Sequence, residues 1–216
     1  MIWFMNYESI NIIIGLDLSL TSTGIAVYTN VIRSSTQIDE LLNSYTNYRI
    51  PAFPSVHFWT KAVKTSSKTN YHTRYLTILN EIMTLVQQLG GNPNNILIII
   101  EGYSFGSFSA SSSTAGLVEL GGIIKFSLTA HGFSYITVPP TVLKKFVTGK
   151  GNSKKEDMKV SLYKKISLEF NTSDEADACG LMLFGLRLIN APVPFLGSVS
   201  KVETTCLNII RNKIHS

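Results

Sequence analysis

The stretch Ile12-Ile13-Ile14-Gly15-Leu16-Asp17 decides how this chain is read. Its apolar run is continuous rather than alternating, so residues 11–18 read as a strand covered on both faces. A carboxylate stands at its end. Thr21 to Gly24 form a polar turn, and Ile25-Ala26-Val27-Tyr28 returns as a second strand, giving a β-hairpin. A second continuous run, Ile96-Leu97-Ile98-Ile99-Ile100, ends on Glu101. Charges at the ends of buried strands are costly unless something compensates them. Asp174 and Asp177 stand three residues apart at the start of an apolar helix, on one face of it. A shared divalent cation is the simplest compensation, so these four carboxylates read as one metal-binding cluster.

Taken singly, three of the acids have a plainer explanation, while Asp177, among Ala176, Ala178 and Cys179, is harder to dismiss. Asp17 suits a turn before Ser19 and Thr21, Glu101 can simply end a strand, and Ser173 or Asp174 suits a helix start. The cluster reading gains its weight from all of them together. Glu175 is expected to point away and be solvated.

The 216 residues suit one domain with a sizeable core. At 44% hydrophobic and 15% charged the composition is that of a globular chain. The net charge of +5 permits an anionic partner. Eight lysines (Lys144, Lys145, Lys150, Lys154, Lys155, Lys159, Lys164 and Lys165) crowd one short stretch, opposed there only by Glu156 and Asp157. The two cysteines, Cys179 and Cys206, lack zinc-ligand spacing and read as buried small hydrophobes in a reducing compartment. The N-terminus is apolar but lacks the basic start and cleavage site of a signal peptide, and no apolar run reaches membrane-spanning length. A cytoplasmic setting is therefore expected. The four histidines are isolated and are assigned to no site.

Between the motifs, residues 30–55 read as polar and irregular, with a short helix around Asp39–Leu42. His57-Phe58-Trp59 begins a third strand. Residues 71–89 show helical spacing (Tyr75, Ile78, Ile82, Leu85, Leu89), stopped by Gly90-Gly91-Asn92-Pro93. Tyr71, Arg74 and Tyr75 open that helix, where packing is expected to outweigh contact with a ligand. Ala115–Ala130 reads as a helix whose Gly116, Gly121 and Gly122 suit close packing on a neighbour. Phe133–Val138 is a strand closed by Pro139-Pro140, and helices follow over about Lys154–Phe170 and Asp174–Ile189. Strands alternating with helices after an initial hairpin predict an α/β architecture with a mixed sheet flanked by helices.

Four segments together resemble RuvC-type Holliday junction resolvases. Gly15-Leu16-Asp17-Leu18-Ser19-Leu20-Thr21-Ser22-Thr23-Gly24 is similar to their opening motif, Ile98-Ile99-Ile100-Glu101 to their second acidic strand, Lys144–Lys155 to their basic segment, and Asp174-Glu175-Ala176-Asp177-Ala178 to their terminal D-x-x-D-A helix. The order agrees, and the set covers about residues 11–190. The resemblance implies a ribonuclease H-like fold with a mixed five-stranded sheet, in a nuclease domain over 1–190 followed by a C-terminal extension over 191–216. It also implies a homodimer that resolves four-way junctions by paired symmetric nicks, in bacterial or infected-host cytoplasm. Carried over by motif, Asp17, Glu101, Asp174 and Asp177 are the catalytic metal ligands for Mg2+, two ions per site, with Mn2+ as a substitute. Lys144 and Lys155 match basic positions near the scissile DNA, while Lys145, Lys150 and Lys154 belong to a general phosphate-binding surface. Phe105 or Phe108, in the loop after Glu101, is expected to wedge between bases. The extra residues before the first strand, the poor match over 30–65 and the tail after 190 depart from the pattern, and the composition suggests a phage or viral member.

Three other readings share some of these residues. A ribonuclease H-like nuclease acting on other branched DNA or on RNA–DNA hybrids keeps the cluster. An actin-like or sugar-kinase-type phosphate-binding domain shares the first motif but explains neither the lysines nor the D-x-x-D pair. A non-catalytic junction binder would gain from losing the carboxylates that this chain retains.

Overall fold

The computed structural model describes residues 9–30, 38, 40–50, 52–103 and 112–214. At the centre of its sheet, β1 (Ile12–Asp17) pairs antiparallel with β2 (Ser22–Thr29), as the hairpin reading required. β3 (Thr46–Ile50) and β4 (Phe53–Lys64) extend the sheet on the far side of β2, and both of their pairings are antiparallel. After α1 (Tyr71–Gln88) the chain enters β5 (Ile96–Glu101), which lies parallel to β1. After α2 (Ser112–Ala130), β6 (Ser134–Val138) lies parallel to β5. The order is β3-β4-β2-β1-β5-β6, a mixed sheet of six strands rather than the five expected. The added strand is β3, an edge strand whose Thr-Asn-Tyr-Arg-Ile sequence carries almost no apolar pattern.

The continuous apolar runs follow from two covered faces. Ile12, Ile14 and Leu16 turn to a core shared with Ile78 and Ile82 of α1 and with Leu120 and Ile124 of α2. Ile13, Leu97 and Ile99 turn the other way, into a second core. There they meet α3 (Pro140–Thr148), α4 (Lys155–Ile166), α5 (Ser173–Leu188) and α6 (Lys201–Ile214).

Of these, α5 lies directly on the central strands. A Cβ added to Gly15 of β1 would stand 2.1 Å from the Ala178 carbonyl oxygen, and one added to Gly185 of α5 would stand 2.7 Å from Ile13 Cγ2. Only glycine allows so close a seat, because real Cβ contacts of that length would force the backbone apart.

Three details differ from the sequence reading. Pro139-Pro140 closes β6 but also opens α3, with proline at the first helical turn where its missing N–H costs nothing. The tail contains α6, whose Cys206, Leu207 and Ile210 are buried in the second core. Glu175 is buried rather than solvated: it accepts from the Thr172 backbone N–H (3.0 Å) and from Thr60 Oγ1 (2.9 Å). Thr172 in return accepts from the Glu175 backbone N–H at 3.1 Å, so Thr172, not Ser173 or Asp174, caps α5.

Candidate active site

Register brings the first two acids together. Leu16 of β1 is level with Ile100 of β5, so the next residues, Asp17 and Glu101, stand side by side at the same end of parallel neighbours. The third and fourth arrive on α5. A Cβ on Gly24, which is level with Asp17, would fall 2.0 Å from the Asp174 carbonyl oxygen. The first turn of α5 therefore rests on the hairpin beside Asp17, and its D-x-x-D pair overhangs the strand ends.

Asp17 and Asp177 are 7% and 8% exposed, which is unusual for carboxylates without protein cations in direct contact. Burial, then repulsion from Glu101 and a shared side-chain hydrogen bond with it, raises the Asp17 carboxyl well above its ordinary range. Burial is also the main cause that raises Glu101, against the opposing effect of that bond. For Asp177, burial and then the charge of Asp17 push the value up to about 7. Its Oδ1 is buried with no hydrogen-bond partner among the described residues. Lys155 Nζ lies 3.7 Å from Asp174 Oδ1, and the combined charge of Asp174, Asp17, Asp177 and Glu101 outweighs burial and raises the ammonium above its usual value.

These groups share one groove of about 690 Å³. Asp17, Glu101 and Asp177 line it together with Lys144 and Lys155, while Asp174 meets it through Lys155. Along the same groove, past the turn Leu18–Thr21, lie Ser67, Tyr71 and Arg74. Arg74, placed by its sequence at an ordinary helix start, is both packed and groove-lining. The signal available in the sequence was a charged residue between two tyrosines at the start of an amphipathic helix.

The other lysines divide. Lys150 and Lys154 are exposed on the connection between α3 and α4. Lys145 is close enough to Cys206 of α6 to affect its thiol, on the side of α3 that faces the tail. Lys165 does not face solvent with the rest: it pairs with Glu203 of α6. Phe105 and Phe108 lie outside the described residues.

The donor set suits a hard cation. All its members are carboxylates, and Asp177 Oδ1, without a hydrogen-bond partner among the described residues, together with the raised carboxyls of Asp17 and Glu101, marks an excess of negative charge. Among the described residues no three such side chains already form a closed cage, so ligands would have to be drawn in and protons released as the ion enters.

Comparison with known proteins found relatives by sequence and by fold. A crossover junction endodeoxyribonuclease RuvC from Synechococcus sp. is 30% identical over 80 residues, which are 36% of this chain and 52% of that protein. Another, from Prochlorococcus marinus, is 27% identical over 128 residues, 58% of this chain and 79% of that one. The structure of Thermus thermophilus RuvC superposes with a TM-score of 0.55 at 16% identity, covering 80% of this chain and 91% of that one. This chain is similar to RuvC in sequence and in fold. The same Thermus RuvC in complex with a Holliday junction substrate superposes equally well, at 0.55 over 80% of this chain. No family profile matches the chain. The aligned stretch spans about half of the Synechococcus RuvC. The RuvC-like architecture agrees with the mixed sheet flanked by helices. Among the described residues no helix is long and apolar enough to cross a membrane.

Proposed function

We propose that this chain is a magnesium-dependent, structure-selective endodeoxyribonuclease that resolves four-way DNA junctions by paired symmetric nicks. The observation that carries this reading is the meeting of Asp17, Glu101 and Asp177 with Lys144 and Lys155 in one groove of a RuvC-like fold. An all-carboxylate site beside two lysines suits phosphodiester hydrolysis, since the acids hold hard cations and the lysines hold the phosphate.

Asp17, Glu101 and Asp177 would hold the metal, with Asp174 joining as Lys155 turns from it toward DNA. Magnesium, two ions per site, would supply Lewis-acid charge for the attacking water and the leaving 3′ oxygen when bound. Lys144 and Lys155 steady the scissile phosphate against the carboxylates. Mn2+, also a hard cation, substitutes. Buried Glu175 takes no part in chemistry and fixes the start of α5 through Thr60 and Thr172.

A four-way junction offers two equivalent strands, so two copies related by a two-fold axis suit it. The face of α2 is the candidate surface for the homodimer. Val118, Ile123 and Phe126 are exposed there (Phe126 by 77%), and a Cβ on Gly122 would meet nothing within 4 Å. Gly116 and Gly121 are already filled from within the chain, by Leu20 and Tyr75 and by Tyr103. The nuclease unit is residues 1–190, with the extension 191–216 bracing it from behind through α6, and the setting is bacterial or infected-host cytoplasm.

The test is a labelled mobile four-way junction incubated with magnesium and either the wild type or Asp17→Asn. Paired, symmetric nicks by the wild type alone are expected. Cutting by both proteins removes Asp17 from its role, and equal cutting of flaps or RNA–DNA hybrids favours the broader nuclease reading.

A further inference from the structure

We propose that Arg74 forms a second phosphate subsite in the groove, gripping the nucleic-acid backbone on the side of the carboxylates opposite to Lys144 and Lys155. The proposal rests on the nuclease reading and deepens it.

Arg74 is 6% exposed, yet it lines the groove. Its Nε and one Nη donate to the Leu20 carbonyl at 2.9 and 2.6 Å, and Nε also reaches Thr65 Oγ1 at 3.2 Å. The Tyr71 ring lies against the guanidinium, 5.4 Å from centroid to Cζ, and itself stacks on Tyr75. The side chain is therefore immobilised from two sides. Its second Nη has no hydrogen bond among the described residues, and there is no carboxylate ion pair to neutralise the charge among them. A fixed guanidinium that keeps one edge for a groove has already lost the rotamer entropy that a surface arginine loses on binding.

Position fits the role. Leu20 follows Asp17 by three residues, so the carbonyl that anchors Arg74 lies at most about 11 Å along the chain from the metal-ligand position. That is a few nucleotides of a bound strand. The hydroxyls of Thr21 and Ser67 line the groove beside it, donors that suit phosphate oxygens. A strand crossing the acidic centre would then be held by cations on both sides, which offsets the repulsion between phosphates and carboxylates.

Anchoring Leu20 is also a structural task, so the experiment must separate charge from scaffolding. Binding to a four-way junction and to linear duplex is measured in EDTA over a range of salt, for the wild type, Arg74→Gln, Ser67→Asp and Thr65→Val. Each phosphate contact contributes about 0.9 to the slope of log affinity against log salt. Arg74→Gln is expected to reduce that slope by about 0.9 and to weaken binding about tenfold at moderate salt, as loss of a charge-assisted bond does. Ser67→Asp sits on an exposed turn and preserves the fold, and its carboxylate beside Arg74 reduces the slope as well. Thr65 Oγ1 itself donates to the Leu20 carbonyl, so Thr65→Val loosens that anchor without changing charge, and leaves the slope at the wild-type value. Wild-type slopes for both Arg74→Gln and Ser67→Asp overturn the subsite, as does a fall produced equally by Thr65→Val. Wild-type protein that binds duplex as tightly as junction defeats the junction reading while the slopes still decide the role of Arg74, and binding to neither DNA overturns both.

Discussion

The α-carbon of Gly24 and the carbonyl oxygen of Asp174 stand so close that a single added methyl would lie 2.0 Å from that oxygen. Gly24 is level with Asp17 across the hairpin, so this contact sets the height of the D-x-x-D turn above the strand that carries Asp17. Backbone lies on both sides of it, and neither can swing away as a side chain would. Gly24→Ala is expected to lift the start of α5, costing about 1–3 kcal/mol of stability as overpacking does. Cleavage should suffer more, since a displacement of about 1 Å at a reacting site can cost on the order of 10²-fold. Gly122→Ala is the control for stability alone, because it lies on the proposed dimer face: its methyl meets no described atom of this chain within 4 Å and gains helix propensity of up to about 1 kcal/mol. Melting temperatures and junction-cleavage rates of the two variants check this, and a Gly24→Ala enzyme of normal activity would show that the contact does not position the acids.

The buried acids give the metal-free protein a distinctive pH dependence. Burial first, and then the charge of Asp17, carry Asp177 from 3.8 to about 7, while Asp17 and Glu101 shift the same way. A carboxyl raised on folding contributes stability that is complete below its unfolded value and is lost as pH climbs through the folded one. In EDTA the protein should therefore weaken between about pH 4 and pH 7, by on the order of 2–4 kcal/mol for Asp177 alone. Magnesium at pH 8 should restore what was lost, because a bound cation replaces the missing protons. Asp177→Asn should flatten the profile and remove most of the gain on adding metal. Thermal melts at pH 5 and pH 8 with and without magnesium measure this, and equal melting temperatures under all four conditions would show that the acids do not share a strained charge.

Lys155 holds Asp174 at 3.7 Å and lies in the field of three further carboxylates. Under the proposed function it competes with a cation for the cluster and also attracts DNA. Its loss should act in opposite directions on the two ligands. Lys155→Gln is expected to lower the magnesium concentration needed for half-maximal metal-induced stabilisation and to weaken junction binding in EDTA. Titrations of each ligand separately provide the check, and a rise in the magnesium requirement would mean that Lys155 organises the acids instead of competing for them.

How much of this was legible in the sequence depends on what each residue had to show. Runs such as Ile12–Leu16 and Ile96–Ile100 are apolar on both faces and reveal buried central strands directly. Their terminal acids stand out because nothing else in those strands is charged. The edge strand β3 was invisible: Tyr48 packs on Phe58 and Phe170, but Thr46, Asn47 and Arg49 carry no alternating apolar pattern. Pro139-Pro140 read as a stop because proline ends strands, although it can equally begin a helix. The burial of Glu175 was missed because its partner Thr60 is 115 positions away in the chain. The role of Gly24 required knowing what would rest on it.

The tail supplies the last prediction. Glu203 of α6 is 5% exposed and accepts from Lys165 of α4 and from the Ser200 backbone N–H at 2.8 Å. Burial alone would raise its carboxyl, but the Lys165 hydrogen bond and the Ser200 backbone bond outweigh that and hold it below the ordinary value. Lys165 Nζ also lies 5.1 Å from the centroid of Phe146 in α3, whose ring packs edge-on against Phe184 of α5 at 4.9 Å. One ion pair thus ties α6 to α4 beneath the two helices that carry Lys144 and Asp177. Glu203→Gln strands the Lys165 charge and should cost about 1–3 kcal/mol, less than a fully buried pair because the lysine is partly solvated. Its pH signature is opposite to that of Asp177: a depressed carboxyl contributes stability above its unfolded value that disappears as pH falls through the folded one. The stability difference between wild type and Glu203→Gln should therefore be full at pH 7 and close toward pH 3. Urea denaturation at a series of pH values reads that difference. A gap that stays constant down to pH 3 would assign the loss to packing of α6 rather than to the ion pair.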